Sequence, residues 1–552
     1  MPSTEPDAPE AWSRRHALVF AATLAVLGLL PWTVAHWPSQ DGQNHLAVAH
    51  VLMHYGDPGS PFPRYVDIET GFRPSTAIYG ILTWLGRAMP LQTAEKLLVS
   101  IAIVLIPSSL LLLVRRALPG RSVNVLLALP FAVGWAFAMG FLSFLLALGL
   151  GLLTLALAWD APPDPPGAPP LGLRHALAAA TYFACVWFHP VAAMITGLCF
   201  LLLAGSRLRT AAAWLRIAAV VTPGALFLVV SYALAHPAPQ SSAVPTETSF
   251  SDPLTLIGGL FEYHLAYTPL ELVPRLVALV LLVRFGYRGV RAYSPWGATV
   301  EAGVARIVLL FLVLYCVTPH ALHGWYYSST RFLLFASALL PAVAEFPARI
   351  GRRLLVLAPA LTAAVLAVQW PDIHRTSQVM QDILDAGESI PRDSKIVPMD
   401  FTARLLGPQP LGHSWAELVI ERDAMASQLF AAGKPRMGGE RFRTLTFHPG
   451  LLDEATGDLP WSTYETWYDV VRKCGSDKVL AFLAFGAAGD CATLLAERKA
   501  TLDEVLDRYD YVLMLGPPGY AKDLIASRVE LLVQKGEAFV YRVTKARGAR
   551  TP

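Results

Sequence analysis

Apolar positions along this chain come in long unbroken runs rather than at the spacing of surface helices. Runs long enough, or nearly so, to cross a hydrocarbon layer of about 30 Å lie at 17–36, 92–114, 122–139, 141–158, 174–190, 191–205, 211–235, 270–285, 305–319, 330–348 and 353–370. They predict about eleven transmembrane helices. Those at 191–205 and 305–319 are the shortest, and short spans need neighbours or a cavity to cover their ends. Beyond residue 370 no run is long enough to span; there 395–399, 511–515 and 538–543 read as short strands, and 377–386 and 502–507 as helices. The expected fold is mainly α: a polytopic membrane helix bundle (1–370) followed by a soluble α/β or α+β domain (371–552).

Composition agrees with a bilayer as the main solvent, since 54% of the 552 residues are hydrophobic and 15% charged, against roughly 25% charged in soluble domains. Lys+Arg 44 against Asp+Glu 41 leaves a net charge of +3, so no basic excess points to nucleic acid as a partner. Cytoplasmic connections are enriched in Lys and Arg, and arginine placement tests the helix count. With the N-terminus inside, alternate connections hold sixteen arginines, from Arg14 and Arg15 through Arg115, Arg116, Arg174 and Arg288 to Arg352 and Arg353. The opposite connections hold Arg64, Arg73 and Arg87, with Arg331 at a membrane edge. A single missed helix would invert this phase downstream. Eight of the nine lysines fall in 371–552, marking the change of environment and, by the alternation, an extracytoplasmic domain.

The N-terminus reads as an uncleaved first helix: the apolar part of 17–34 is too long for a signal-peptide core, and no A-x-A site follows. Residues 161–170 read as a cytoplasmic linker and 237–252 as an outer loop. There is no short tandem repeat and no phosphate-binding glycine loop; Gly516-Pro517-Pro518-Gly519 has prolines where backbone donors would be needed. Cys185, Cys199 and Cys316 sit in apolar runs as small buried hydrophobes, whereas Cys474 and Cys491 are free to pair if the tail faces an oxidising compartment.

The long first outer loop, 37–91, carries the candidate chemistry. Asp41 and His45 are four apart, so on a helix they share a face and suit either a general base with an orienting imidazole or two metal ligands. The same spacing suits a plain helix start capped by Asp41 or Ser39. His50 and His54 repeat the spacing without a third convergent ligand.

An aspartate just past the first transmembrane helix, in a long loop with an amphipathic helix (74–89), resembles the GT-C superfamily of membrane glycosyltransferases. Gln40-Asp41-Gly42-Gln43-Asn44-His45-Leu46 is similar to the Gln-Asp-x-x-x-His-Leu opening of one bacterial branch, and Gly140-Phe141-Leu142-Ser143-Phe144 and His189-Pro190 to its later landmarks. The resemblance covers the membrane part. It implies that Asp41, flanked by Gln40 and His45, takes the proton of an acceptor hydroxyl attacking the anomeric carbon of a polyprenyl-phosphate sugar, with inversion. Arg331 would meet the leaving phosphate; read without the resemblance, it is an interfacial arginine. His320, His323 and Tyr326 would line the sugar pocket or belong to the interfacial aromatic belt. Glu262 and His264 would supply a second carboxylate region or a plain polar loop, and His189 reads as a helix-end residue.

No cofactor is required by the sequence, and a divalent metal, Mg or Mn, is compatible with it. Gly42 after Asp41 departs from members with an acidic pair there, and metal use and catalytic competence turn on that departure. The implied partners are the polyprenyl-phosphate sugar donor, an envelope glycan, lipid or protein acceptor, and membrane lipids. The implied location is the bacterial inner membrane with a cytoplasmic N-terminus. Two other classes fit many helices with outward polar groups: an envelope-lipid transporter or flippase, and a non-catalytic glycan-binding assembly factor using Trp461, Tyr464, Trp467 and Tyr468.

Overall fold

In a computed structural model, the structure describes residues 11–68, 73–159, 171–204, 211–234, 248–293, 299–321, 327–402, 407–426, 429, 445–447, 474, 491–517, 522, 525 and 527–544. The linker at 161–170, most of the loop at 237–252 and the tail aromatics Trp461 to Tyr468 lie outside them.

A helical element falls on each of the eleven apolar runs. They are α1 (Arg14–Leu29), α4 (Leu91–Ala117), a 3-10 helix (Pro119–Phe131) leading into the short α5 (Trp135–Ala138), α6 (Leu142–Ala158), α7 (Leu173–Phe188), α8 (Pro190–Ala204), α9 (Ala211–Leu234), α11 (Leu272–Tyr293), α12 (Val300–Val317), α13 (Ser328–Val343) and α14 (Ala348–Gly387). Between them lie α2 (Gly42–His54), α3 (Ala77–Gly86) and α10 (Pro253–Glu262). Among the described residues, six helices are by themselves long and apolar enough to cross a membrane. Outer faces of α1, α9, α11 and α12 expose Val26, Leu29, Val229, Leu234, Val273, Val280 and Val313, far more apolar surface than a water-soluble bundle leaves uncovered. Cys316, expected to be buried, lies on such a face and is exposed, while Cys185 and Cys199 are buried.

The third run does not form an α-helix. Residues Pro119–Phe131 wind as a 3-10 helix, unusually long for that form, and at about 2.0 Å per residue it covers roughly 26 Å. Side chains hold it in place: Arg121 Nη1 donates to Ala342 O and Val343 O, and Asn124 Nδ2 to Pro341 O (3.2 Å) and Ala344 O (2.7 Å). These bonds satisfy carbonyls at the end of α13 that the helix terminus would otherwise leave open.

Connections expected on the same side of the membrane meet at the same end of the bundle. At one end, Arg116 Nη1 reaches Ala156 O (2.8 Å), Arg306 Nη2 reaches Leu202 O (3.3 Å), and Glu345 N donates to Phe285 O (3.0 Å). At the other, Gln40 N donates to Ala138 O (2.8 Å), Ser75 N to Trp187 O (2.8 Å), and Tyr267 Oη to Pro38 O (2.7 Å).

The 40-residue α14 runs unbroken through the composition change at residue 370, about 60 Å at 1.5 Å per residue, and its last turns cover the sheet of the C-terminal domain. That sheet has the order β2-β4-β6-β5, with β2 (Ile396–Asp400), β4 (Tyr511–Leu515), β5 (Val529–Lys535) and β6 (Ala538–Val543). β2 pairs parallel to β4 (Ile396 opposite Tyr511), and β6 is antiparallel to both of its neighbours. Among the described residues, α15 (Glu417–Arg422) and α16 (Cys491–Leu506) also belong to this domain, with Cys474 and Cys491 joined in a disulfide.

The first loop is clamped between bundle and C-terminal domain. β1 (Val66–Ile68) pairs antiparallel with β3 (Leu445–Phe447). Arg64 is paired with Asp393, and His50 Nε2 lies 3.0 Å from Asp423 Oδ1, whose other oxygen takes Arg392. Burial works against ionisation of Asp423, but hydrogen bonds from His50 and Arg392 outweigh it and hold the carboxyl below its ordinary range.

Candidate functional site

Asp41 stands at the N-terminal boundary of α2, yet its side chain makes no cap hydrogen bond. Ser39, the other capping candidate, points its Oγ towards the buried Glu95 (3.5 Å). Asp41 Oδ1 instead lies 3.1 Å from His413 Nδ1, a residue of the C-terminal domain; the two side chains are 18% and 14% exposed. His45 leaves α2 one turn later, and its Nδ1 meets Tyr79 Oη of α3 at 3.0 Å. Gln40 Oε1 accepts from Gln409 N at 3.0 Å. The imidazole beside the carboxylate is therefore His413, and His45 spends its Nδ1 on fastening α2 to α3.

The turn carrying Asp41 is moulded onto residues 138–144. Gln40 N and Asp41 N donate to Ala138 O and Met139 O (2.8 and 3.1 Å). Gly140 has φ +77, and a Cβ there would sit 2.6 Å from Gly42 N and 2.9 Å from Asp41 N. A side chain in the left-handed region costs about 1–2 kcal/mol before that backbone collision is counted. Gly140→Ala is accordingly expected to lower the Tm and to dislocate Asp41, whereas Gly56→Ala, with open space around it, should change neither; thermal unfolding of the two purified variants decides.

One residue further on, the ring of Phe141 supports Arg331, whose guanidinium carbon is 5.7 Å from that ring and 6.0 Å from the ring of Phe144. Arg331 is in the first turn of α13 and buried, which rules out a side chain reaching into bulk water. Ser143 Oγ donates to Phe188 O (2.7 Å), and the rings of Phe144 and His189 meet edge to face at 5.3 Å. His189 is the single residue between α7 and α8, and its Nδ1 accepts from Ala192 N at 3.4 Å, the helix-end role expected of it. The residues similar to family landmarks thus converge: Gly140 backs Asp41, while Phe141 and Phe144 back Arg331.

Tyr327, at φ 59, packs edge to face against Trp135 (4.9 Å) and His320 (4.9 Å). Burial, with Arg331 adding to it, pushes the His320 imidazole below its ordinary pKa. His323 and Tyr326 lie outside the described residues. Glu262 faces the backbone N–H of Gly407, and burial pushes its carboxyl up despite that donor; it abuts the segment that carries His413. His264 is driven down to about 4 by burial and by Arg275, so it is neutral near pH 7.

An apolar cavity of about 110 Å³ is lined by Trp135, Tyr263 and, on α13, Leu334, Ala338 and Pro341. Positions 331, 334, 338 and 341 follow one stripe of α13.

Mg or Mn needs several oxygen ligands. The Cβ position of Gly42 is already filled by Ser39 Oγ and Glu95 Oε1, so no acidic side chain fits at position 42. Among the described residues no three His, Cys, Asp or Glu side chains gather as a metal site. These residues do not fit a bound metal, and no step below is routed through one.

His413, Gln409 and Glu417 were invisible as site residues in the sequence, because the stretch around them has no spacing that distinguishes it from an ordinary domain turn. The buried pair of Glu271 and Arg275 (2.7 Å) was likewise hidden in an apolar run. Glu271 accepts from Ala266 N, Tyr267 N, Thr268 N and Gln369 Nε2; Arg275 donates to Pro130 O, His264 O and Val133 O. With every partner supplied, this pair pins the loop whose Tyr267 holds Pro38, three residues from Asp41.

No protein-family profile matches the chain, and no curated protein does. Among solved structures it is similar to the arabinofuranosyltransferase AftD from Mycobacteria at 14% identity and a TM-score of 0.44, covering 98% of this chain and 40% of that one. It is similar to ArnT from Cupriavidus metallidurans in the apo state at 10% identity and 0.48, covering 95% and 98%. The oligosaccharyltransferase of Archaeoglobus fulgidus in the apo form follows at 10% and 0.44, covering 92% and 70%. The chain spans less than half the length of the first of these. These are likenesses of outline.

Proposed function

We propose that this protein is a multi-pass membrane glycosyltransferase that moves a sugar from a polyprenyl-phosphate donor to an envelope glycan, lipid or protein outside the cytoplasm. Asp41 removes the proton of the acceptor hydroxyl as its oxygen bonds to the anomeric carbon. The bond from that carbon to the phosphate oxygen breaks on the opposite face, its electron pair leaves with the lipid phosphate, and the configuration inverts. Arg331 meets the charge developing on the phosphate, where a low-dielectric setting makes a fixed cation effective. The apolar slot along α13 suits the first isoprene units of the carrier. The observation that carries this reading is the segment from Gly140 to Phe144, which backs both Asp41's turn and the Arg331 guanidinium. In this reading the N-terminus is cytoplasmic and the C-terminal domain faces outward from a bacterial inner membrane.

The test is transfer from radiolabelled polyprenyl-phosphate sugars by the full chain in proteoliposomes, with envelope extract as acceptor, for wild type and Asp41→Asn. Wild-type turnover that Asp41→Asn loses supports the reading, and no wild-type turnover with any such donor sinks it. In the same assay Arg331→Gln should lower kcat by about 10²–10³-fold. Arg331→Lys should fall between, keeping the charge but losing the planar fork that matches phosphate.

A further inference from the structure

We infer that His413 is a positioning residue for Asp41, so that the C-terminal domain completes the site that the membrane bundle begins; this rests on the sugar-transfer reading above. The contact joins residues 372 positions apart, and the segment bearing it is seated at many points. Gly407 N faces Glu262, and Gln409 N donates to Gln40 Oε1 at 3.0 Å. Ser414 Oγ closes onto Leu411 O (2.7 Å). Just after it, Trp415 is buried, and Glu417, fully buried, takes Gln92 Nε2 at 2.9 Å and pairs with His36 at 3.4 Å. A connecting turn without a task would not be fastened to the first loop in this way.

What His413 does follows from how Asp41 stands: its backbone is in the helical region (φ −98, ψ −12), not the extended one that capping uses. An aspartate at a helix N-terminal boundary ordinarily turns its carboxylate onto the first free amides of the helix, and there its lone pairs are occupied. The carboxylate of Asp41 makes no such bond. His413, with its proton on Nδ1, engages Oδ1 and fixes the carboxylate plane, leaving Oδ2 for the acceptor hydroxyl. The gain is one of orientation, which governs the rate of the bound complex more than its formation.

The experiment uses the full chain in proteoliposomes with a polyprenyl-phosphate sugar that the wild type turns over. His413→Ala is expected to lower kcat by about 10–100-fold with KM changed by less than about 2-fold. His413→Asn, whose amide N–H stands near the position of Nδ1, is expected to recover most of kcat. Equal kcat in His413→Ala, or an asparagine variant no better than alanine, overturns the proposal. Seating is read separately by a Gln40→Cys/Gln409→Cys pair, which should cross-link under mild oxidant equally well with His413 in place and in the His413→Ala background. Loss of the cross-link in the alanine background makes His413 a docking anchor and overturns the positioning role. If the cysteine pair cross-links but the wild type transfers no sugar, the reaction assigned to the site has failed and not the contact. Wild-type turnover unchanged by His413→Ala removes the positioning role alone.

Discussion

Asp41→Asn is expected to reduce sugar transfer by about 10²–10⁴-fold, the range that loss of a general base commands, with little change in folding. The two effects separate because of what the carboxylate does and does not contact. It does not cap α2, and the asparagine side-chain oxygen can still accept from His413 Nδ1, so the turn keeps its partner. What disappears is the capacity to take up a proton from the acceptor as the new bond forms. Single-turnover rates with bound donor, set beside the Tm of the purified variant, are the measurement. A drop in rate at constant Tm assigns Asp41 to the chemistry; a rate equal to wild type removes it from the mechanism. Asp41→Ala, which also abandons His413, should show a further loss of order around residues 407–413 that the asparagine variant does not.

Glu271→Ala is expected to destabilise the protein by about 3–5 kcal/mol, the usual cost of stranding one member of a buried ion pair. Both side chains are almost fully buried. Removing Glu271 leaves the Arg275 charge without its counter-ion and strips three backbone amides and Gln369 Nε2 of their acceptor. Glu271→Gln keeps a carbonyl acceptor and should lose less. Replacing both partners, Glu271→Met with Arg275→Leu, should recover part of the loss, since no unpaired charge remains. Unfolding of the three variants in detergent tests the order: alanine lowest, glutamine intermediate, the double variant above alanine. An alanine variant with wild-type stability would show that the cluster does not hold the loop. Because Tyr267 in that loop bonds Pro38 O, loosening there should also raise the protease sensitivity of the segment around Asp41.

The sequence by itself determined where the apolar helical elements lie, since the length of an apolar run is a one-dimensional property, and each of the eleven runs carries a helical element. By alternation of the runs it paired the connections that meet, Arg116 with Ala156 at one end of the bundle and Tyr267 with Pro38 at the other. It also singled out Asp41, Arg331, Gly140 and His189, whose neighbourhood the structure then assembled. Strands β2, β4 and β6 were legible from their apolar, β-branched and aromatic composition, whereas β5, with exposed Leu531, was not. Tertiary structure alone decided the rest: that the third run winds as a 3-10 helix, that α14 carries the bundle into the C-terminal domain without a break, and that β1 finds β3. It decided that His413 stands at the Asp41 carboxylate, and that Glu271 can be buried because Arg275 and four donors surround it. The physical reason is common to these. Burial by lipid depends on what a stretch of chain is made of. A hydrogen bond or ion pair depends on which distant side chain arrives within about 3 Å, and spacing along the chain holds no record of that.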